Sequence, residues 1–283
     1  MENPSAPVVE TRQGALIGST EGDTHVWCGI PYAAPPVGPW RWRSPRPPAR
    51  WDGVRPATAF SASSWQSSES CQELGGGDPG QFSEDCLYLN VWSPVVRADP
   101  LPVMVWLHGG GFTLGAGGLP PYNGRALAKR GTVVVTINYR LGHLGFFAHP
   151  ALEGEEERVV HNFALLDQIQ ALEWVRDNIA AFGGDPENIT VFGESAGARS
   201  VLSLMASPLA GGLFHKAIVQ SGYTLPDTPR EQAMHKGEVI AAHFGLQNAT
   251  AEQLRAIPPE AFWPLISPLN IAPAPIAVSY THL

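Results

Sequence analysis

Gly193-Glu194-Ser195-Ala196-Gly197 is the stretch of this chain whose residue types and spacing point most directly to chemistry. The run Ile189-Thr190-Val191-Phe192, typical of a strand, precedes it, and small residues typical of a helix follow. A strand that turns at once into a helix holds its corner residue in a strained conformation, with the side chain pushed clear of the sheet. A Cβ atom on either flanking residue would collide at such a corner, so Gly193 and Gly197 are expected to support it. The pattern predicts that Ser195 is a nucleophile.

A serine that attacks a carbonyl needs N–H groups to stabilise the oxyanion, and the sequence predicts them in two places. Ala196 would begin the helix, where free N–H groups and the helix dipole favour negative charge. A second glycine-rich run, His108-Gly-Gly-Gly-Phe112, follows an apolar segment, and glycines allow close approach of a backbone to substrate. The predicted oxyanion hole is therefore Gly110, Gly111 and Ala196, with Glu194 as a further support of the corner.

Alternating strand and helix patterns surround these two motifs. Apolar runs at 102–107 and 132–137 predict strands buried on both faces, and apolar spacing over 163–182 predicts an amphipathic helix. Residues 8–18 predict an antiparallel hairpin, whereas residues 61–83 lack periodicity and predict an irregular loop. This order predicts an α/β fold with a mostly parallel central sheet, helices on both faces and an N-terminal antiparallel hairpin.

Composition excludes several other classes of protein. The chain has 283 residues and a net charge of −8, so it lacks the basic field of a nucleic-acid-binding protein. No apolar run approaches a membrane span, and the first seven residues lack the features of a signal peptide, which favours a cytoplasmic location and leaves secretion open. Cys28, Cys71 and Cys86 lack the spacing of a zinc site, so no metal or cofactor is predicted. A bridge between Cys71 and Cys86 would close a short loop.

Further motifs give the chain a resemblance to the type-B carboxylesterases, which include bacterial p-nitrobenzyl-esterase-like enzymes and the cholinesterases. These motifs accompany the two glycine motifs and extend over nearly the whole chain: Gly29-Ile-Pro-Tyr-Ala33, Arg41-Trp42 before Pro45, Glu84-Asp-Cys-Leu-Tyr-Leu-Asn-Val-Trp92, Asn138-Tyr-Arg-Leu-Gly142, Asp167-Gln168 and Phe182-Gly-Gly-Asp-Pro186. The resemblance implies an α/β-hydrolase fold, the same nucleophile and oxyanion hole, and no cofactor.

The resemblance also implies an ion pair between Arg41 and Glu84. In secreted relatives the positions of Cys71 and Cys86 form a disulfide, whereas in a reducing compartment the two cysteines would stay thiols. The chain departs from the family at Ala164, where glycine is usual, and at Arg199, where a small or apolar residue is common. Cholinesterases bind the choline cation on a tryptophan between the two cysteines. Only Phe82 is available there, so a cholinesterase is disfavoured.

The activity expected from these motifs is hydrolysis of small carboxylic esters through an acyl-enzyme intermediate. The fold's order is serine, then acid, then histidine. His215 is expected at the wrong end of the sheet, and His235 and His243 are expected to be exposed on a helix. The other downstream candidates lack a suitable position: His282, Asp227, Glu231, Glu238, Glu252 and Glu260.

Family members run to roughly twice this length. Residues 1–283 are therefore expected to be one α/β-hydrolase domain that is incomplete at its C-terminus, with about 277–283 a non-native tail. Two alternatives to an esterase remain open. One is a non-catalytic, cholinesterase-like adhesion scaffold, although such proteins typically lack the serine; the other is an amidase or lactonase with the same nucleophile. The sequence predicts neither acyl nor alcohol preference, nor an oligomeric state.

Overall fold

A computed structural model describes residues 6–96, 99–155, 161–222, 224–225, 228–266 and 271–277. The strands are β1 (Val8–Glu10), β2 (Ala15–Ile17), β3 (Ser19–Glu21), β4 (Thr24–Pro31), β5 (Val54–Pro56), β6 (Tyr88–Pro94), β7 (Leu101–Leu107), β8 (Val133–Ile137), β9 (Gly184–Glu194), β10 (Lys216–Gln220), β11 (Thr228–Pro229) and β12 (Ile276–Ala277). The α-helices are α1 (Ser68–Glu73), α2 (Arg125–Ala128), α3 (Gly142–Gly145), α4 (Phe163–Asn178), α5 (Ala196–Ala206), α6 (Arg230–His243) and α7 (Ala251–Arg255). Within the described residues, no helix is long and apolar enough to cross a membrane.

One mixed sheet organises the fold, with strand order β10-β9-β7-β8-β6-β4-β3. Strands β10, β9, β7 and β8 are parallel, which confirms the predicted parallel sheet for the part that carries both glycine motifs. Strands β6, β4 and β3 continue the sheet in antiparallel fashion. A tight turn, Gly22-Asp23, joins β3 to β4, and such a turn can connect only antiparallel neighbours. The expected N-terminal hairpin is confirmed, with β1 antiparallel to β2.

Helices cover both faces of this sheet, as predicted. Val133 and Val135 of β8 share one hydrophobic core with α4 and α5. Val134, between them, packs instead with Ala128 of α2. Successive side chains of a strand point to opposite faces, so α2 lies on the other side of the sheet from α4 and α5. Every residue of β8 is buried, which accounts for its continuous apolar sequence.

The helix predicted over residues 163–182 is confirmed, although its last turn, Ile179–Phe182, is a 3-10 helix. Its polar residue Asp167 is completely buried. The Asp167 carboxylate accepts hydrogen bonds from Nε and Nη2 of Arg140, at 2.8 and 2.7 Å, and from the Arg140 main-chain N–H at 3.1 Å. This two-point pairing offsets the cost of removing both charges from water. It fastens the segment after β8 to α4.

The loop from residue 61 to 83 is more ordered than the sequence predicts, because it contains α1. Ser67 caps this helix by accepting a hydrogen bond from the Ser70 N–H at 3.1 Å. One helical turn and a half is too short for its periodicity to show in the sequence. The ion pair between Arg41 and Glu84 is confirmed, with Nε–Oε1 and Nη2–Oε2 distances of 2.5 and 2.7 Å.

Of the two outcomes that the sequence leaves open for Cys71 and Cys86, the structure shows the thiols and not the disulfide. Cys71 and Cys86 are both free, buried thiols. Cys71, on α1, packs in a small cluster with Ala116 and Leu119, whereas Cys86 belongs to the main core. The two thiols therefore serve separate packing sites.

Removal of the Asp167 carboxylate is expected to destabilise the protein strongly, because Arg140 would keep a buried charge without its partner. We expect Asp167→Ala to lower the free energy of unfolding by about 3–5 kcal/mol, measured by urea titration with tryptophan fluorescence. The matched control is Asp177→Ala, whose partners Arg12 and Arg176 have side chains that are 65% and 45% exposed. This control should cost less than about 1 kcal/mol. Equal losses in the two variants would contradict a special role for the buried pair.

Candidate active site

Ser195 lies at the sharp junction between β9 and α5. Its backbone has φ 55° and ψ −117°, a conformation that residues with a Cβ atom rarely adopt. The Ser195 N–H donates to the carbonyl oxygen of Gln220 at 2.9 Å, so the neighbouring strand β10 holds the corner in place. The serine is half-buried, and among the described residues its hydroxyl makes no hydrogen bond. This junction therefore leaves the hydroxyl available at the carboxyl end of the parallel strands.

Gly193 and Gly197 flank this corner where no side chain fits. A Cβ atom on Gly193 would lie 2.6 Å from the carbonyl carbon of Gly197, and one on Gly197 would lie 2.0 Å from the carbonyl oxygen of Leu107. The two atoms that these Cβ atoms would contact belong to the backbone, so no side-chain movement can relieve the clash. The first turn of α5 thus packs directly on the last residue of β7.

The glycine-rich loop after β7 approaches the same corner. A Cβ atom on Gly109 would lie 2.9 Å from the carbonyl oxygen of Glu194 and 3.3 Å from the Cβ of Ser195. Gly110 and Gly111 have φ values of 99° and 61°, in the left-handed region. The structure therefore brings the two motifs into contact, although their sequences are far apart.

The three N–H groups predicted to form the oxyanion hole lie on these two turns. Ala196 is the first residue of α5, so its N–H has no partner within the helix. Within the part of the chain that the structure describes, the N–H groups of Gly110, Gly111 and Ala196 have no hydrogen-bond acceptor. Gly110 is half-buried and Gly111 is exposed, so a ligand can approach this loop.

His108 packs behind the loop and supports it. Its ring is fully buried and stacks on Tyr139, with centroids 4.3 Å apart and planes 13° from parallel. The Tyr139 hydroxyl donates to the His108 carbonyl oxygen at 2.7 Å, and Nδ1 of His108 lies 2.9 Å from the Gly109 carbonyl oxygen. Burial lowers the pKa of His108 to about 4, so the ring is neutral and Nδ1 donates to Gly109. The sequence did not single out Tyr139, whose one signal was its place in a family motif directly after β8.

None of the downstream histidines that the structure describes forms a hydrogen bond with Ser195. His215 lies at the amino end of β10, where its N–H donates to Ile189, while Gln220 at the other end pairs with Glu194. His235 and His243 are exposed on α6, as expected. His282 and Asp227 lie outside the described residues. The remaining acidic candidates are exposed: Glu231, Glu238, Glu252 and Glu260.

No described residue therefore supplies a general base or its orienting acid to Ser195. Among the same residues, no group of three or more His, Cys, Asp or Glu side chains is placed to hold a metal ion.

Comparison with known proteins gives consistent matches over most of the chain. Residues 5–263 match the model of the carboxylesterase family. The para-nitrobenzyl esterase of Bacillus subtilis (strain 168) is 46% identical over 266 residues, which cover 94% of this chain and 53% of that protein. The fumonisin B1 esterase of Sphingopyxis macrogoltabida is 47% identical over 254 residues, 88% of this chain and 46% of that protein. A solved PNB esterase has a TM-score of 0.89 and 42% identity, covering 96% of this chain and 57% of its own. The chain spans about half the length of these curated relatives.

A methyl group at Gly197 is expected to disrupt the elbow, because its Cβ would lie 2.0 Å from the Leu107 carbonyl oxygen. We expect Gly197→Ala to lower the free energy of unfolding by about 3 kcal/mol, measured by urea titration. Gly211→Ala is the control, since its nearest neighbour would be the Pro208 carbonyl oxygen at 3.2 Å. A similar cost at both positions would show that the close contact at Gly197 is not the cause.

The buried, neutral His108 should make stability depend on pH. Its folded-state pKa is lowered from 6.5 to about 4, so between these values the unfolded state binds the proton more readily. Stability is then complete above about pH 6.5 and is lost as the pH falls toward 4, by up to about 3 kcal/mol from this group. His108→Asn should remove this part of the slope in urea titrations at several pH values. The exposed His235→Asn should keep the slope, and an unchanged slope in His108→Asn would contradict the assignment.

Proposed function

The chain belongs to the carboxylesterase family and has the α/β-hydrolase fold, and from this premise we propose that it carries the nucleophile and oxyanion hole of a serine hydrolase. The proposed reaction is hydrolysis of a small-molecule carboxylic ester, and the proposed nucleophile is Ser195. The observation that carries this proposal is the contact between the two glycine motifs. In this contact the loop that carries Gly110 and Gly111 packs on the strained corner at Ser195, and the N–H groups of Gly110, Gly111 and Ala196 have no acceptor among the described residues.

In the proposed first step, Ser195 Oγ forms a bond to the ester carbonyl carbon, and the carbonyl π electrons move to its oxygen. The N–H groups of Gly110, Gly111 and Ala196 would donate to that oxyanion, and loss of one such donor typically costs about 3–4 kcal/mol of transition-state stabilisation. Collapse of the intermediate breaks the bond to the alcohol oxygen, which leaves with the serine's proton. Water then attacks the acyl-serine, releasing the acid and restoring the hydroxyl.

We infer that the general base and its carboxylate come from chain outside the described residues. Two observations support this. The described histidines that follow Ser195 in the chain lie at the amino end of β10 or are exposed on α6. In addition, β10 pairs only with β9 among the described strands, and its Ile218 and Val219 are 43% and 36% exposed. An apolar edge strand of this kind usually has a further neighbour.

The choice of esters as substrates rests on the names of the relatives. The two curated proteins described above are both named esterases, and both span the elbow and the glycine loop of this chain. The proposed partner is therefore a small ester molecule.

Labelling by a fluorophosphonate probe tests the nucleophile directly. In the full-length protein we expect the probe to attach to Ser195, located by mass spectrometry, because its Oγ is unpaired and the N–H groups can stabilise the phosphonyl oxygen. Ser195→Ala should abolish labelling and lower kcat for a p-nitrophenyl ester by at least about 10⁴-fold.

The control variant is Ser203→Ala, on the same helix. The hydroxyl of Ser203 is committed to the Arg199 carbonyl oxygen at 2.9 Å, so its loss should leave labelling intact. Labelling that survives Ser195→Ala would refute the proposed role of Ser195.

A further inference from the structure

Arg199 lies one helical turn beyond the serine on α5. Its N–H donates to the Ser195 carbonyl oxygen at 3.0 Å. The Cα–Cβ bonds of a helix tilt toward its N-terminus, so a long side chain at this position covers the turn that begins at Ser195. The Arg199 guanidinium carbon lies 5.7 Å from the centre of the Phe112 ring, and Phe112 directly follows Gly111. The positive charge therefore lies near the ring of Phe112, the residue that follows the glycine loop, on the helix that begins directly after Ser195.

This guanidinium lacks a counterion in the described part of the chain. Nε of Arg199 is buried and has no hydrogen-bond partner, and no carboxylate forms an ion pair with the group. A buried nitrogen without a partner also occurs in Arg140, at Nη1, but Arg140 and Arg41 each have a counterion, because each makes a two-point pair with a carboxylate. The Phe112 ring attracts the cation but accepts no in-plane N–H bond, so it leaves Nε unsatisfied.

A buried donor without an acceptor is unfavourable, and in native structures such a group usually has a specific reason. The side chain of Arg199 is half-buried, so the guanidinium is partly open to a ligand. Its planar fork of donors fits a carboxylate with two parallel hydrogen bonds. An anionic group on the bound substrate would supply the counterion that the described chain does not, through the Nη groups, because Nε is the nitrogen that is buried.

We propose that Arg199 binds a carboxylate of the ester substrate and so makes the site selective for esters that carry a second, ionised carboxyl group. This inference rests on the proposed esterase function and names its substrate class. The same positive charge would disfavour esters with a cationic alcohol, which agrees with the lack of a cation-binding tryptophan in residues 72–85.

Matched pairs of anionic and neutral esters test this selectivity in the full-length protein. Monoethyl adipate and ethyl hexanoate differ by a carboxylate on the acyl side. On the alcohol side, the pair is 4-acetoxybenzoate and its methyl ester. For each pair, the quantity measured is the kcat/KM of the anionic ester divided by that of the neutral one.

We expect Arg199→Met to lower this ratio at least about tenfold for the pair whose carboxylate reaches the guanidinium, as loss of a charge-assisted hydrogen bond does. Arg199→Lys keeps the charge but not the fork and should lower the ratio less. Arg176→Met is the control for net charge. Arg176 is a surface residue of α4, paired with Asp177.

Two results would overturn the proposal. In one, both ratios stay unchanged in Arg199→Met, as they would if a carboxylate of the protein itself neutralised Arg199. In the other, anionic and neutral esters lose kcat/KM equally, which would make Arg199 a general support of the site. Failure of the esterase function would look different, because the unaltered protein would hydrolyse none of the four esters and Ser195 would not be labelled.

Discussion

The candidate site depends on one close contact, between the first turn of α5 and the end of β7. Gly197 lies so near the Leu107 carbonyl oxygen that even a methyl group has no room. Because the glycine loop continues directly from Leu107, this contact also determines how near that loop comes to Ser195. A nucleophile from one turn and N–H donors from another are thus positioned by main-chain packing, with little dependence on flexible side chains.

Polar groups buried behind the two turns make this arrangement rigid. Tyr139 and His108 connect the segments after β8 and β7, and the pair of Arg140 and Asp167 connects the first of these segments to α4. The hydrogen bonds of these groups hold the backbone on both sides, although His108 Nε2 and Arg140 Nη1 are buried without a partner. Arg199 differs from Arg140, because its Nε is buried without a hydrogen bond and no carboxylate of the described chain pairs with its guanidinium.

The sequence could predict the structural features that depend on residues close together in the chain. The glycines at 193 and 197, the hairpin of β1 and β2, and the helix from Phe163 all express local sterics or periodicity. It could not predict contacts between distant segments: the pairing of Arg140 with Asp167 spans 27 residues, and the approach of Arg199 to Phe112 needs the folded sheet. The antiparallel half of the sheet was missed because no pattern within a strand records the direction of its neighbour. Neither spacing nor resemblance could decide whether Cys71 and Cys86 are bonded, and their separate packing sites could be known only from the fold.

The hydrogen bond from the Ser195 N–H to Gln220 has a consequence for the mechanics of the site. Through this bond the Ser195 N–H joins the corner to β10. Strand β10 thereby stabilises the unfavourable backbone conformation of Ser195. If β10 separated from β9, this hydrogen bond would be lost and the backbone of Ser195 would relax toward ordinary dihedral angles. The hydroxyl would then leave its position at the corner. The availability of the Ser195 hydroxyl for reaction therefore depends on β10 remaining paired at the edge of the sheet.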